Sequence, residues 1–91
     1  MEVERFIGVS NKYGLHARAS TRLAQVAQRF RAAIYVSREG TSEEVDAKSI
    51  LGILTLGAEK GQKLRIRASG DDAGDALLAV VDLFEKNFGE E

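Results

Sequence analysis

Lys63-Leu64-Arg65-Ile66-Arg67-Ala68-Ser69, followed by Gly70-Asp71-Asp72, decides how this chain folds. Leu64, Ile66 and Ala68 alternate with Lys63, Arg65 and Arg67, a period of two that predicts a strand with one face toward a core. Ser69-Gly70-Asp71-Asp72 then reads as a capping box in which Asp replaces Glu. Beyond it Ala73, Leu77, Val80, Val81, Phe84 and Phe88 recur at helical spacing, which predicts an amphipathic helix.

The same two periods alternate upstream. Val3, Arg5, Ile7 and Val9 share one face of a first strand, with Phe6 on the other, and Asn11-Lys12-Tyr13-Gly14 makes a turn. From Ala17 the period changes: Ala19, Leu23, Val26, Ala27 and Phe30 form the apolar stripe of a helix. Ile34, Tyr35 and Val36 return to a strand closed by a Glu39-Gly40 turn. A short polar strand over Ser42–Val45 is expected at a sheet edge. Ile50, Ile53 and Leu54 predict a short helix, opened near Asp46 or Ser49 and stopped by Gly57. The order β-α-β-β-α-β-α, without linker or repeat, predicts an α+β open-faced sandwich: a four-stranded antiparallel sheet with three helices on one face.

The 91 residues are expected to form one domain, 1–91. A chain of this size buries roughly 60–70% of its unfolded surface. Hydrophobic content of 44% and charged content of 30% suit a globular chain. No apolar run approaches the ~20 residues of a membrane span. Met1-Glu2-Val3-Glu4-Arg5-Phe6 lacks the basic and apolar regions of a signal peptide, so a cytoplasmic location without membrane insertion is expected. Zero Cys excludes disulfides and thiolate metal sites, and a lone His argues against zinc; no metal or cofactor is expected. A net charge of −1 argues against nucleic acid as the partner. Lys12, Arg18, Arg22, Arg29 and Arg31 nevertheless crowd the first third, while Glu85, Glu90 and Glu91 gather at the end. A locally basic face suits an acidic protein partner; a solvated helix face accounts for Arg29 and Arg31 equally well.

His16 is the only histidine, and with no Cys present it is the one side chain suited to nucleophilic work near neutral pH. It follows Gly14-Leu15, precedes Arg18 by two residues and sits where a helical pattern begins. A helix N-terminus offers free N–H groups and a positive dipole end to an anion, and a guanidinium binds two phosphate oxygens at once. Histidine's reference pKa near ~6.5 leaves most of the ring neutral and nucleophilic at pH 7. The dipole that opposes a charged ring favours an anionic product, by roughly 0.3–1 kcal/mol per charge and up to ~2 in favourable geometry. The pattern points to a reversible phosphoryl site. Capping or packing is the competing reading of a single histidine.

Two segments resemble a known family. Gly-Leu-His-Ala-Arg-Ala-Ser at 14–20 is similar to the signature of HPr, the histidine phosphocarrier of the bacterial phosphotransferase system. Ala47-Lys-Ser-Ile-Leu-Gly-Ile-Leu-Thr-Leu-Gly57 resembles that family's regulatory-serine region and its short helix. Both occur in the family's order and spacing, and the likeness covers essentially the whole chain. The resemblance implies that His16 accepts a phosphoryl group on Nδ1 from Enzyme I and hands it to EIIA domains, in sugar uptake or its regulation. It implies that Arg18 orients the phosphate and that Ser49 is the serine modified by an HPr kinase/phosphorylase. Ser49 reads equally as a helix N-cap, and a cap is a tolerable place for phosphate. The family normally has Pro where this chain has Ala19. Pro pre-sets the first helical turn, so the change bears on loop rigidity more than on phosphate chemistry. One nucleophile without a paired base or metal suits a relay, not an enzyme with its own substrate.

Ile50, Leu51 and Leu54 cannot all point inward from so short a helix. One or two are expected at the surface beside His16, edged by Arg18, Arg22 and Lys48. With Ala19 and Ser20 they make up the docking face that the resemblance assigns to Enzyme I and EIIA, small and short-lived in its contacts. A monomer is expected. Asn11-Lys12-Tyr13-Gly14 and the ending Ala79–Glu91 look like the nitrogen-related branch, NPr, whereas the Ser49 region, with Leu56-Gly57, looks like ordinary HPr. A small ligand-sensing α+β regulatory module is the alternative from another class, and it would need no phosphate at His16.

Overall fold

The stretch 63–69 forms the strand on which the rest is assembled. In chain order the elements are β1 (Glu2–Gly8), α1 (Ala17–Ala27), β2 (Ala33–Arg38), β3 (Val45–Asp46), α2 (Ile50–Leu56), β4 (Lys63–Ser69) and α3 (Ala73–Glu85), in a computed structural model that describes residues 1–90. Glu91, counted above with the acidic end, lies outside the described residues. The sheet order is β1-β4-β2-β3 and every pairing is antiparallel. β4 pairs with β1 from Glu2↔Ser69 to Gly8↔Lys63 and with β2 from Ala33↔Ser69 to Arg38↔Leu64. The expected open-faced α+β sandwich is the fold observed.

The alternation in β4 divides the sheet into two faces. Leu64, Ile66 and Ala68 are fully enclosed beside Ile34 and Val36, and the apolar sides of all three helices close over them: Leu23 and Ala27 from α1, Ile53 and Leu56 from α2, Ala76, Val80 and Phe84 from α3. Each large side chain so buried contributes roughly 1.5–3 kcal/mol. The outer face is polar. Arg67 makes two hydrogen bonds of 2.8 Å to the Glu44 carboxylate and stacks 4.6 Å from the centre of the Tyr35 ring. The Arg67 hydrogen bond is the main reason the Glu44 carboxyl lies below its ordinary range, against the opposing effect of burial. Arg5, aligned in the alternation with Val3 and Ile7, is exposed on the edge strand β1, and Phe6 is half-exposed on the outer face as expected.

Four local expectations are corrected. The edge strand is Val45–Asp46, not 42–45, because Thr41, Ser42, Glu43 and Glu44 have no apolar side chain to hold them in the ladder. α1 stops at Ala27, leaving Phe30 in the following loop, half-buried. No capping box forms at 69–72: Asp72 is the N-cap of α3, but its carboxylate accepts from the backbone N–H groups of Arg31 and Ala32 at 2.9 and 2.8 Å. A tertiary contact has displaced the local one. Phe88 lies beyond α3, in a 3-10 turn with φ of 58°, its buried ring edge-on to Phe84 at 4.8 Å.

Candidate phosphoryl-accepting site

α1 opens on His16 itself. The residue is extended (φ −77°, ψ −176°), its carbonyl accepts from Ser20 N at 2.8 Å, and its Nδ1 accepts from the N–H of Arg18 at 3.3 Å. His16 is therefore a helix N-cap, the competing reading of a single histidine, and the same arrangement leaves Nδ1 beside the amides at the start of α1. At 3.3 Å the cap is longer than the usual 2.9–3.0 Å, so this amide is free to make a stronger bond to an anionic oxygen. The imidazole side chain is 30% exposed.

The ring is presented by a loop whose geometry favours glycine at position 14. Gly14 has φ of +64°, and a Cβ there would lie 2.5 Å from the Ala58 carbonyl oxygen and 2.9 Å from Glu59 Cα. The loop is tied by Leu15 N to Ala58 O at 3.0 Å and by Asn11 Nδ2 to Gly14 O at 2.7 Å. Tyr13 stands edge-on to His16 with centroids 5.9 Å apart. Lys12, Tyr13, His16, Arg18, Gly89 and Glu90 line a cleft of about 470 Å³. Arg18 is exposed, and its guanidinium makes no hydrogen bond or ion pair among the described residues.

Glu90 is the residue that sequence reasoning missed. Its Oε2 lies 2.6 Å from His16 Nε2 and its Oε1 accepts from Asn11 Nδ2 at 3.1 Å. Burial pushes this carboxyl up. The hydrogen bonds from Asn11 and His16, with the charges of His16 and Arg18, outweigh burial and hold it below its ordinary range. The sequence counted Glu90 only as part of an acidic end, and nothing local to either residue signals a contact across 74 positions.

Ser49 is the N-cap of α2: its Oγ accepts from Gly52 N at 3.0 Å, and the helix ends at Gly57 with φ of 64°. Asp46, the other candidate opener, accepts from Lys48 N at 2.8 Å just upstream. α1 and α2 run in opposite senses. Leu15 N meets Ala58 O at one end of the pair, and Gln28 Nε2 meets Lys48 O at the other. His16 and Ser49 thus mark opposite ends. Between them Leu51 is 72% exposed and Ile50 and Leu54 are each 39% exposed, so all three reach the surface, where one or two are expected from the sequence.

Two of the expected docking residues do not reach it. Ala19 and Ser20 are fully buried: Ala19 faces the core, and Ser20 Oγ donates to the Leu15 carbonyl at 3.0 Å. Arg22 and Lys48 are half-buried and already engaged, Arg22 donating to the Phe88 carbonyl and Lys48 Nζ to the Phe30 carbonyl at 2.8 Å. No helix is long and apolar enough to cross a membrane among the described residues.

Comparison with known proteins agrees with this geometry. Residues 3–86 match the family model described as the PTS HPr component phosphorylation site. Phosphocarrier protein HPr of Xylella fastidiosa (strain Temecula1) is 40% identical over 89 residues, covering 98% of each chain. Phosphocarrier protein NPr of Escherichia coli K12 is 35% identical over 92 residues and the full length of both chains. The crystal structure of HPr-C-His from Thermoanaerobacter tengcongensis superposes with a TM-score of 0.91 at 43% identity, covering 98% of each chain. The shared fold, the phosphorylation-site match and full-length similarity place this chain in the HPr family, the phosphocarrier proteins of the phosphotransferase system.

Proposed function

We propose that His16 carries the phosphoryl group on Nδ1, receiving it from the phosphohistidine of Enzyme I and delivering it to EIIA domains in sugar uptake or its regulation. The observation that carries this reading is the contact of Nδ1 with the Arg18 amide at the start of α1, on a ring 30% exposed. A phosphoryl group on Nδ1 then lies against the amide N–H groups and positive end of α1, which stabilise it moderately and leave it transferable. The exposed Arg18 guanidinium, without a partner among the described residues, supplies the charge that orients it. The exposed Ile50, Leu51 and Leu54, edged by Arg22 and Lys48, receive each partner in turn, and the protein works as a cytoplasmic monomer.

Ser49 serves in this reading as the regulatory site of an HPr kinase/phosphorylase. A helix of seven residues is about 10 Å long at 1.5 Å per residue. Phosphate at Ser49 therefore sits about a Debye length or more from His16. It acts by placing roughly −1.5 to −2 charges on the docking surface, not by a direct effect on the imidazole.

The nitrogen branch is the second reading, supported by the full-length similarity to NPr. Incubation of the phosphorylated chain with purified EIIA domains of the sugar and nitrogen systems tests both. Rapid transfer to the sugar-specific domain is expected. Transfer confined to the nitrogen-type domain moves the protein to the other branch, and transfer to neither contradicts the carrier assignment.

A further inference from the structure

The chain returns to the start of α1 through a turn that side chains rarely adopt. Asn87, Phe88 and Gly89 are consecutive residues with positive φ, at 51°, 58° and 76°, and two of them are not glycine. Such backbone persists only where its surroundings hold it. Here the buried Phe88 ring is wedged against Phe84, Arg22 grips the Phe88 carbonyl, and Ser10 Oγ donates to Asn87 Oδ1 at 2.5 Å. What this strained turn delivers is the Glu90 carboxylate, 11% exposed, set on His16 Nε2.

Two elements far apart in sequence thereby fix the proton on the ring. The Arg18 N–H donates to Nδ1, so Nδ1 must hold a lone pair. An ionised carboxylate only accepts, so the Nε2 that faces Glu90 must hold the hydrogen. We propose that Glu90 is a positioning residue for phosphoryl transfer: it holds His16 with the proton on Nε2, so that Nδ1 is the nucleophile, and it keeps that proton in place once the ring is phosphorylated. This rests on the reading of His16 as the phosphoryl carrier.

The step balances without any proton movement. The Nδ1 lone pair forms the N–P bond while the donor's bond to phosphorus breaks and leaves its electron pair on the donor. The ring becomes a cationic N-phosphoryl imidazolium whose Nε2–H still donates to Glu90, and the carboxylate balances the new positive charge. On delivery the Nδ1–P pair returns to Nδ1. A phosphorylated ring without Glu90 loses its Nε2 proton to water more readily, and its nitrogen becomes a poorer leaving group. Among the described residues the other charged groups around the cleft, Lys12 and Arg18, are cationic. Neither can accept this hydrogen bond in place of Glu90.

Long-range ¹H–¹⁵N NMR of His16 reads the tautomer directly, without phosphorylation. The wild-type chain is expected to show a protonated Nε2 and an unprotonated Nδ1. Glu90→Ala is expected to give a mixture of the two tautomers, with Glu90→Asp restoring part of the preference. In the phosphorylated chain Glu90→Ala is expected to slow delivery to EIIA about tenfold, the effect of losing one charge-assisted hydrogen bond. Arg22→Ala, which frees the turn without touching Glu90, is expected to shift the tautomer in the same direction. Identical ring nitrogen shifts and delivery rates in wild type and Glu90→Ala overturn the proposal. Failure of wild-type His16 to take up phosphate would instead remove the carrier reading, while the tautomer measurement still reports on Glu90.

Discussion

Replacing Gly14 by alanine tests how the loop that presents His16 is built, because Gly57 supplies a matched control. Both glycines have φ of 64°, but a Cβ at Gly57 meets nothing within 4 Å, whereas at Gly14 it meets the Ala58 oxygen at 2.5 Å. The left-handed conformation costs a non-glycine residue about 1–2 kcal/mol, partly offset by ~0.4–1 kcal/mol from a stiffer unfolded chain. Gly57→Ala should therefore destabilise by about 1 kcal/mol. Gly14→Ala carries that cost and must also drive back the Ala58 carbonyl, which holds the buried Leu15 amide at 3.0 Å. Losing that bond and leaving its donor unpaired adds about 2–3 kcal/mol, for a total of about 3–4. For a domain of this size each kcal/mol lowers Tm by roughly 4–8 °C. Thermal unfolding followed by circular dichroism should place Gly14→Ala about 10 °C or more below Gly57→Ala. Equal Tm values for the two variants would refute the close approach of the loop to Ala58.

Other consequences are open to direct measurement. Ser49→Asp should slow phosphoryl uptake from Enzyme I by weakening docking, while leaving the His16 ring nitrogen shifts unchanged; an unaltered uptake rate contradicts the proposed route of regulation. Ser49→Ala should instead cost about 1 kcal/mol of stability through loss of the α2 cap, measurable by urea unfolding. Leu51→Glu should leave stability within about 0.5 kcal/mol, since Leu51 is 72% exposed, but raise the Km for the carrier in the Enzyme I reaction; an unchanged Km removes Leu51 from the docking surface. Glu44, Asp72 and Glu90 all have folded carboxyl pKa values below the ordinary one. Their stabilisation is thus fully present above the unfolded value near ~4 and disappears as pH falls through the lowered folded values. Glu44→Gln should flatten the acid side of a Tm-against-pH curve, and an unchanged slope would show that the Arg67 pair adds nothing.

Legibility in the sequence followed the range of the interactions. The alternation of β4 and the stripe of α3 were readable because both periods are local; Gly14 and Gly57 marked the turn before His16 and the end of α2, while the start of α2 stayed open between Asp46 and Ser49 until the Ser49 cap decided it. Position 72 shows the limit: its local pattern is a good capping box, yet a carboxylate that can satisfy two backbone donors at 31 and 32 is held there instead. Residues 41–44 carry no apolar anchor, so their strand could only be guessed. His16 and Arg18 were visible as a motif, but not the partner on the second ring nitrogen. Asn87 and Gly89 both tolerate positive φ but Phe88 does not, and the burial of its ring against Phe84 explains why it adopts it. Contacts made by the fold as a whole leave no local trace.

Phosphate carriage by a single imidazole is open to intact-mass measurement after incubation with Enzyme I and phosphoenolpyruvate. An acid-labile, alkali-stable gain of a single phosphate is expected in the wild-type chain and none in His16→Ala. Retention of that gain by His16→Ala would contradict it.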